Sequence, residues 1–181
     1  EINDKDIIYQ TASIDMNVTN IELNELYELS DIVIKGKLIK LDLNVSEQTN
    51  AIYTDYTFMI DTTYKGDIKN KVVINMLGGI MKYDEYMNQL IKNKTASESD
   101  IDNEKIDKYV CFSPKGFNPL SPEGEYVIYA SYNEDKKCYY PTNYFYGIYK
   151  SENGKDYERF KTENNDNDNV VTIGQIEKSV K

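Results

Sequence analysis

Histidine is absent from the 181 residues. That excludes Ser–His and Cys–His nucleophile pairs, imidazole proton shuttles near neutral pH, and every metal site built on an imidazole ligand. Tryptophan is absent too. Arginine occurs once, as Arg159, so a bidentate clamp on phosphate or carboxylate can form at one place at most. The formal net charge is −10, and an acidic chain with one arginine is a poor nucleic-acid binder. No apolar run approaches the roughly 20 residues of a membrane helix. The best stretch, Val72 to Met81, is broken by Asn75 and the Gly78-Gly79 pair. Cysteine occurs only twice, as Cys111 and Cys138. The pair could close one disulfide in an exporting compartment, a loop worth about 3 kcal/mol in chain entropy. The alternative is two thiols, one of them buried as a small hydrophobe. Neither is a strong catalytic candidate without a histidine to activate it.

What remains is a chain of single-domain size, 40% hydrophobic, with 17 tyrosines. Its wealth of Asn, Lys, Ile and Tyr suggests an AT-rich bacterial genome. The start at Glu1 fits a mature secreted or surface-anchored protein and equally a domain taken from a longer chain, and a lipid anchor ahead of Glu1 is compatible with it.

Residues 1–18 carry no clean period and read as an N-terminal arm or short edge segment; 19–181 read as one domain. Thr19-Asn20 offers a helix N-cap, and Ile21, Leu23, Leu26, Tyr27 and Leu29 form an apolar stripe behind it. A strand begins at Asp31, with Ile32, Ile34, Gly36 and Leu38 on one face. Gly36 marks a sharp bend or bulge, as at a barrel corner. The clearest alternation follows: Ile52, Tyr56, Phe58, Ile60 and Tyr64 against Asp55, Thr57, Met59 and Asp61. Residues 71–77 supply a third strand. Tyr83, Tyr86, Met87, Leu90 and Ile91 predict a helix over 83–92. The acidic stretch 93–108 reads as a mobile loop insertion.

Strand pattern resumes at 125–132 and again over 137–150, apolar on both faces in each case. Asn153-Gly154 is a type I′ hairpin signal, returning the chain as 156–160. A polar tract at 164–169, a short strand at 170–173 and a helix from Gln175 complete the pattern. Together these predict a mainly β fold with minor α: a five- to six-stranded OB-like antiparallel barrel with a leading, an inserted and a C-terminal helix.

Four ordered pieces also carry a family resemblance: Ser30-Asp-Ile-Val-Ile-Lys-Gly-Lys-Leu-Ile, Tyr56 to Ile68 ending in Lys-Gly-Asp-Ile, Gly78-Gly79, and Gly124-Glu-Tyr-Val-Ile-Tyr-Ala. In this succession the chain resembles bacterial extracellular proteins and lipoproteins with an OB-fold barrel akin to the tissue inhibitors of metalloproteinases and netrin modules. The resemblance spans about residues 20 to 150. It implies a fold and an extracellular or cell-surface location, and it brings no catalytic residues. The inhibitors chelate a protease zinc through an N-terminal cysteine. Here position 1 is Glu, so that mechanism does not transfer.

Motifs for chemistry are weak. Asp100-x-Asp102-x-Glu104 has the alternating acids of an EF-hand start, but Lys105 replaces the turn glycine and Cys111 the closing Glu. Gly147 to Lys155 fails P-loop spacing. No cofactor is indicated. Tyr139, Tyr140, Tyr144 and Tyr146 crowd one stretch and are the ligand-binding candidates, since tyrosine gives large amphipathic contact at low entropic cost. The competing reading is core and cross-strand packing. The sequence therefore favours a non-enzymatic binding module for an extracellular protein or a cell-envelope glycan. An inhibitor or regulator of an extracellular enzyme is the second reading. A carboxylate-dependent glycan-active enzyme is the third, and it would need two acids roughly 5 to 10 Å apart across a cleft.

Overall fold

The computed structural model describes residues 2–12, 21–114, 119–160 and 170–180. The polar tract 164–169 and the Thr19-Asn20 cap lie outside the described residues. In chain order the elements are β1 (Ile7–Ala12), α1 (Leu23–Leu29), β2 (Ile32–Val45), β3 (Ile52–Lys65), β4 (Lys71–Leu77), β5 (Gly79–Lys82), α2 (Tyr83–Lys92), β6 (Tyr109–Pro114), β7 (Glu125–Asn133), β8 (Cys138–Pro141), β9 (Ile148–Ser151), β10 (Asp156–Arg159), β11 (Val170–Thr172) and α3 (Ile173–Ser179). They group into two compact units. One is Glu1–Ile14, Asp42–Thr54 and Leu77–Pro119; the other is Asp15–Leu41, Asp55–Met76 and Leu120–Lys181. The long strands β2 and β3 contribute residues to both.

The second unit holds the barrel. Its ring runs β7-β2-β3-β4-β8, and β8 pairs back onto β7. β2 and β7 are antiparallel from Ile32↔Ala130 to Gly36↔Tyr126. β7 and β8 are antiparallel from Ala130↔Pro141 to Asn133↔Cys138. The ring closes through β4 and β8, which are parallel at Ile74↔Tyr139. This corrects the expectation of a wholly antiparallel barrel, and the reason is parity. Five strands that alternate in direction around a ring must leave one like-directed pair where the ring closes.

Alternation fills the interior. Every second residue is buried on β3 from Ile52 to Phe58 and along β4, and Tyr56, Phe58, Ile74, Met76, Tyr126 and Ile128 are among the least exposed side chains. Phe58 and Tyr126 meet edge to face at 5.5 Å. Buried phenols need partners. Tyr126 donates to the Ser121 carbonyl at 2.7 Å and accepts from the Ser121 amide at 3.1 Å.

A second layer grows from the free edge of β7. β9 pairs with β7, β10 with β9, and β11 with β10. Ile21, Leu26, Val33, Val127, Tyr129, Tyr149, Tyr157 and Ile176 form the core between this sheet and helices α1 and α3. That is why β7 is apolar on both faces. β8 and β9 share one edge of β7, β8 opposite 130–133 and β9 opposite 125–128. The strand expected over 137–150 is thus interrupted by an excursion at 142–147. There Asn143 and Tyr144 take left-handed backbone (φ 53° and 58°), followed by a 3-10 turn over Tyr144–Gly147. The interruption lets one strand close the ring and the next join the outer sheet.

The Asn153-Gly154 turn is present but is not type I′. Gly154 has φ 70°, whereas Asn153 is not left-handed. Instead the Asn153 side chain accepts from the Lys155 and Asp156 amides at 2.8 and 2.9 Å, an Asx turn that needs only one positive φ.

The first unit carries a three-stranded sheet, β1-β6-β5. β1 and β6 are parallel and β5 and β6 antiparallel. α2 lays Tyr83, Tyr86, Met87 and Leu90 on Val45, Ile52, Met81 and Val110. The stretch 93–108, expected as a mobile loop, folds as two capped 3-10 turns, Glu98–Asp100 and Asn103–Lys105, with Ala96 and Ile101 against that core. Bonds from the Ser97 hydroxyl and amide hold Asp100 below the ordinary carboxylate value of 3.8. Lys105 and the Glu104 amide do the same for Asp102. A depressed folded value means the caps contribute above pH 3.8 and are lost as pH falls through the lowered values. The protection factors of the Ser97 and Glu104 amides, taken against the intrinsic exchange rate at each pH, are therefore expected to fall below pH 3.8 while that of Val110, in the core, does not. Unchanged protection of the two turns at pH 2 would contradict the capping roles.

Candidate functional site

The alternation that buries Tyr56, Phe58, Val72 and Ile74 turns the intervening residues outward. On β3 these are Asp55, Thr57 and Met59, and on β4 Lys71, Val73 and Asn75. On β2, Leu38 is buried, so Lys37, Ile39 and Leu41 face out. The Asn75 amide donates to Asp55 Oδ1 at 2.7 Å, and the Ile60 amide donates to the Asn70 carbonyl at 2.8 Å. These two bonds place 55 beside 75 and therefore 57 beside 73. The resulting face is unusually apolar for one in contact with water. Ile39 is 47%, Leu41 45%, Met59 39% and Val73 44% exposed. Lys37 and Lys71 stand next in the same outward frames and are exposed. Asp55 and Asn75, bonded to each other, supply polar groups on the same face.

The four tyrosines singled out from sequence do not form one surface. Tyr139 is half-buried and its ring leans on Tyr132 across β7–β8 at 5.0 Å. Tyr140, 41% exposed, follows it on the strand and so takes the opposite face. Tyr144 lies against Phe145, with centroids 3.9 Å apart. Tyr146 packs on the core under α1 and α3 and lies beneath the Arg159 guanidinium at 5.1 Å. Cys111, buried on β6, and Cys138, half-buried at the start of β8, are free thiols. Burial raises both above the ordinary thiol value, which makes them poor nucleophiles.

The acidic candidates are committed elsewhere. The Asp100 carboxylate accepts from the Ser97 amide at 2.8 Å, and Asp102 holds Lys105 at 2.8 Å. Glu125 accepts from the Tyr157 hydroxyl and lies 3.9 Å from Lys35. Among the described residues no three Cys, Asp or Glu side chains group closely enough to hold a metal ion, and no helix is long and apolar enough to cross a membrane.

Sequence pattern does not single out the apolar face, although a signal exists. Ile39 and Leu41 are apolar in the frame opposite to Ile34 and Leu38, and Met59 is apolar in a frame otherwise held by Asp55, Thr57 and Asp61. Each is unremarkable on its own strand; pairing brings them together. No protein-family model and no curated protein matches the chain.

Proposed function

We propose that this chain is a non-enzymatic binding module that engages a protein partner through the outer face of β2, β3 and β4. One observation carries the reading: Ile39, Leu41, Met59 and Val73 are all exposed on that face. Contiguous exposed apolar area on a soluble domain is a mark of an interaction surface. In OB-folds the face of the second and third strands binds ligands, there oligonucleotides and oligosaccharides. The patch is aliphatic rather than aromatic, which favours a protein over a glycan, because sugars stack on flat rings. The resemblance to extracellular and lipoprotein OB-like modules supports placing the protein outside the cell or on its surface. The inhibitor reading gains no support from 93–108, which forms capped turns rather than an extended wedge.

The test is retention of envelope protein and envelope polysaccharide, assayed separately, on immobilised protein. The variant Ile39→Ser/Met59→Ser/Val73→Thr changes only exposed side chains and is expected to keep its circular dichroism spectrum. It should lose a retained protein by tenfold or more, about 1.4 kcal/mol, while Tyr140→Ala keeps it. Equal retention by both variants, retention of polysaccharide alone, or retention of nothing would overturn the proposal.

A further inference from the structure

The three-stranded sheet of the first unit ends at β1, and among the described residues no strand pairs with its other side. β1 meets β6 in parallel along its whole length, from Ile7↔Tyr109 to Ala12↔Pro114. A strand paired on one side only keeps a second row of backbone N–H and C=O groups that point away from the sheet. Proteins blunt such edges by keeping them short or by placing charge or proline on them. Two other edges are blunted in this way. β5 has four residues and closes on Lys82, and β11 has three. β1 is not. Its sequence, Ile-Ile-Tyr-Gln-Thr-Ala, holds no charge, proline or glycine, and Ile7, Ile8, Tyr9 and Thr11 are residue types that favour strands.

The two faces of β1 differ. Ile8 and Gln10 stand in register with Val110 and Phe112 of β6, on the face against which α2 packs. Ile8 is half-buried at the margin of that core, and Gln10 accepts from the Tyr86 hydroxyl at 3.3 Å. On the opposite face Tyr9 is 58% exposed, and its hydroxyl donates to Asp4. A strand laid beside β1 would set one row of side chains next to Ile8, where apolar groups extend the core, and the other next to Tyr9, in water. The flanks are acidic. Asp4 and Asp6 precede β1, with Lys5 offsetting one of them, and Asp15 follows it in the sequence.

We propose that the outer edge of β1 takes up an extended segment of another protein, uncharged over the length of β1, apolar at alternate positions and flanked by lysine or arginine. A row of backbone donors and acceptors is matched by another extended backbone. Alternate apolar residues answer Ile8, and basic flanks answer Asp4, Asp6 and Asp15. A second copy of this chain is the poorer occupant. Parallel pairing of two β1 strands sets Asp4 and Asp6 beside themselves, and antiparallel pairing turns them toward Asp15, so like charges meet in both orientations. The inference does not rest on the sheet face proposed above, which lies on other strands.

The test uses the whole ¹⁵N-labelled chain and a synthetic peptide, blocked at both ends, in which three valines alternate with three threonines between terminal lysines. Titration is expected to move the amides of Ile7 to Ala12 along one saturable curve and to leave those of Val73 and Val170 in place. Two further peptides carry N-methyl groups, one on its valines and the other on its threonines. Only one of these two rows of amides can face β1, so one methylated peptide should lose affinity by about tenfold or more while the other keeps it. Glutamates in place of the terminal lysines should weaken binding at low salt, and Asp4→Asn/Asp6→Asn should narrow that difference. Absence of a saturable shift in β1, or equal affinity of the two methylated peptides, would overturn pairing along this edge. Equal or tighter binding of the glutamate peptide would overturn the charge assigned to the partner. Sedimentation of the free protein as a dimer with the β1 amides protected would overturn the choice of occupant.

Discussion

Alanine at position 36 is expected to lower the stability of the second unit by about 4 kcal/mol or more, a large share of the 5–15 kcal/mol available to a domain. A Cβ built on Gly36 would lie 2.2 Å from the Met59 carbonyl oxygen, 3.1 Å from its carbon and 3.2 Å from Ile60 Cα. All three atoms are backbone of the neighbouring strand. No side chain can turn aside, so β2 must separate from β3 in the middle of a closed ring. The glycine is needed for this close approach, since its φ is not in the left-handed region. The check is the urea midpoint of Gly36→Ala beside that of Lys37→Ala, one residue on and exposed. Midpoints that coincide would mean the two strands do not cross as described.

Tyr126→Ala is expected to cost about 3–5 kcal/mol, the range for removing a large buried aromatic. The ring fills the barrel against Phe58, and the hydroxyl ties down the segment at Ser121. The two contributions separate experimentally. Tyr126→Phe keeps the ring and loses the hydroxyl, which predicts a loss of only about 1 kcal/mol. If Tyr126→Phe were as damaging as Tyr126→Ala, the hydroxyl anchor rather than core packing would dominate at this position.

Local periodicity made part of this fold legible. Helix α2 falls on the residues predicted from Tyr83, Tyr86, Met87 and Leu90, because a one-sided apolar stripe over three turns has no good strand alternative. β3 and β4 were equally readable; Gly36 was legible as a bend or bulge, and its close approach to the backbone of Met59 and Ile60 became visible only with the strands paired. The parts that escaped are those decided by distant partners. β1 was legible only as an arm or edge segment, since its mate β6 lies about a hundred residues later and pairs in parallel. The break at 142–147 was hidden because a run apolar on both faces shows no period to interrupt. Gly147 marks it in retrospect. A Cβ there would meet the carbonyls of Thr142 and Tyr129 at 2.5 and 2.7 Å.

The candidate site was harder to read for a chemical reason. Tyrosine has an apolar body and a polar tip, so a dense run of tyrosines suits a binding surface and a β core equally. Tyr126, Tyr129, Tyr149 and Tyr157 are fully buried, and Tyr146 is spent beneath Arg159. The exposed aliphatic residues looked ordinary because each belongs to a different strand, and only sheet pairing assembles Ile39, Met59 and Val73 into one face.

Methionine oxidation tests that face most directly. Met59 is 39% exposed, whereas Met76, Met81 and Met87 are 1%, 3% and 6% exposed. Oxidation follows exposure. Under dilute hydrogen peroxide, with peptide mass mapping over time, Met59 should convert to the sulfoxide well before these three, and a retained envelope protein should slow it selectively. Conversion of Met59 no faster than that of Met76, or a rate unchanged by the bound partner, would contradict the assignment of this face as the contact surface.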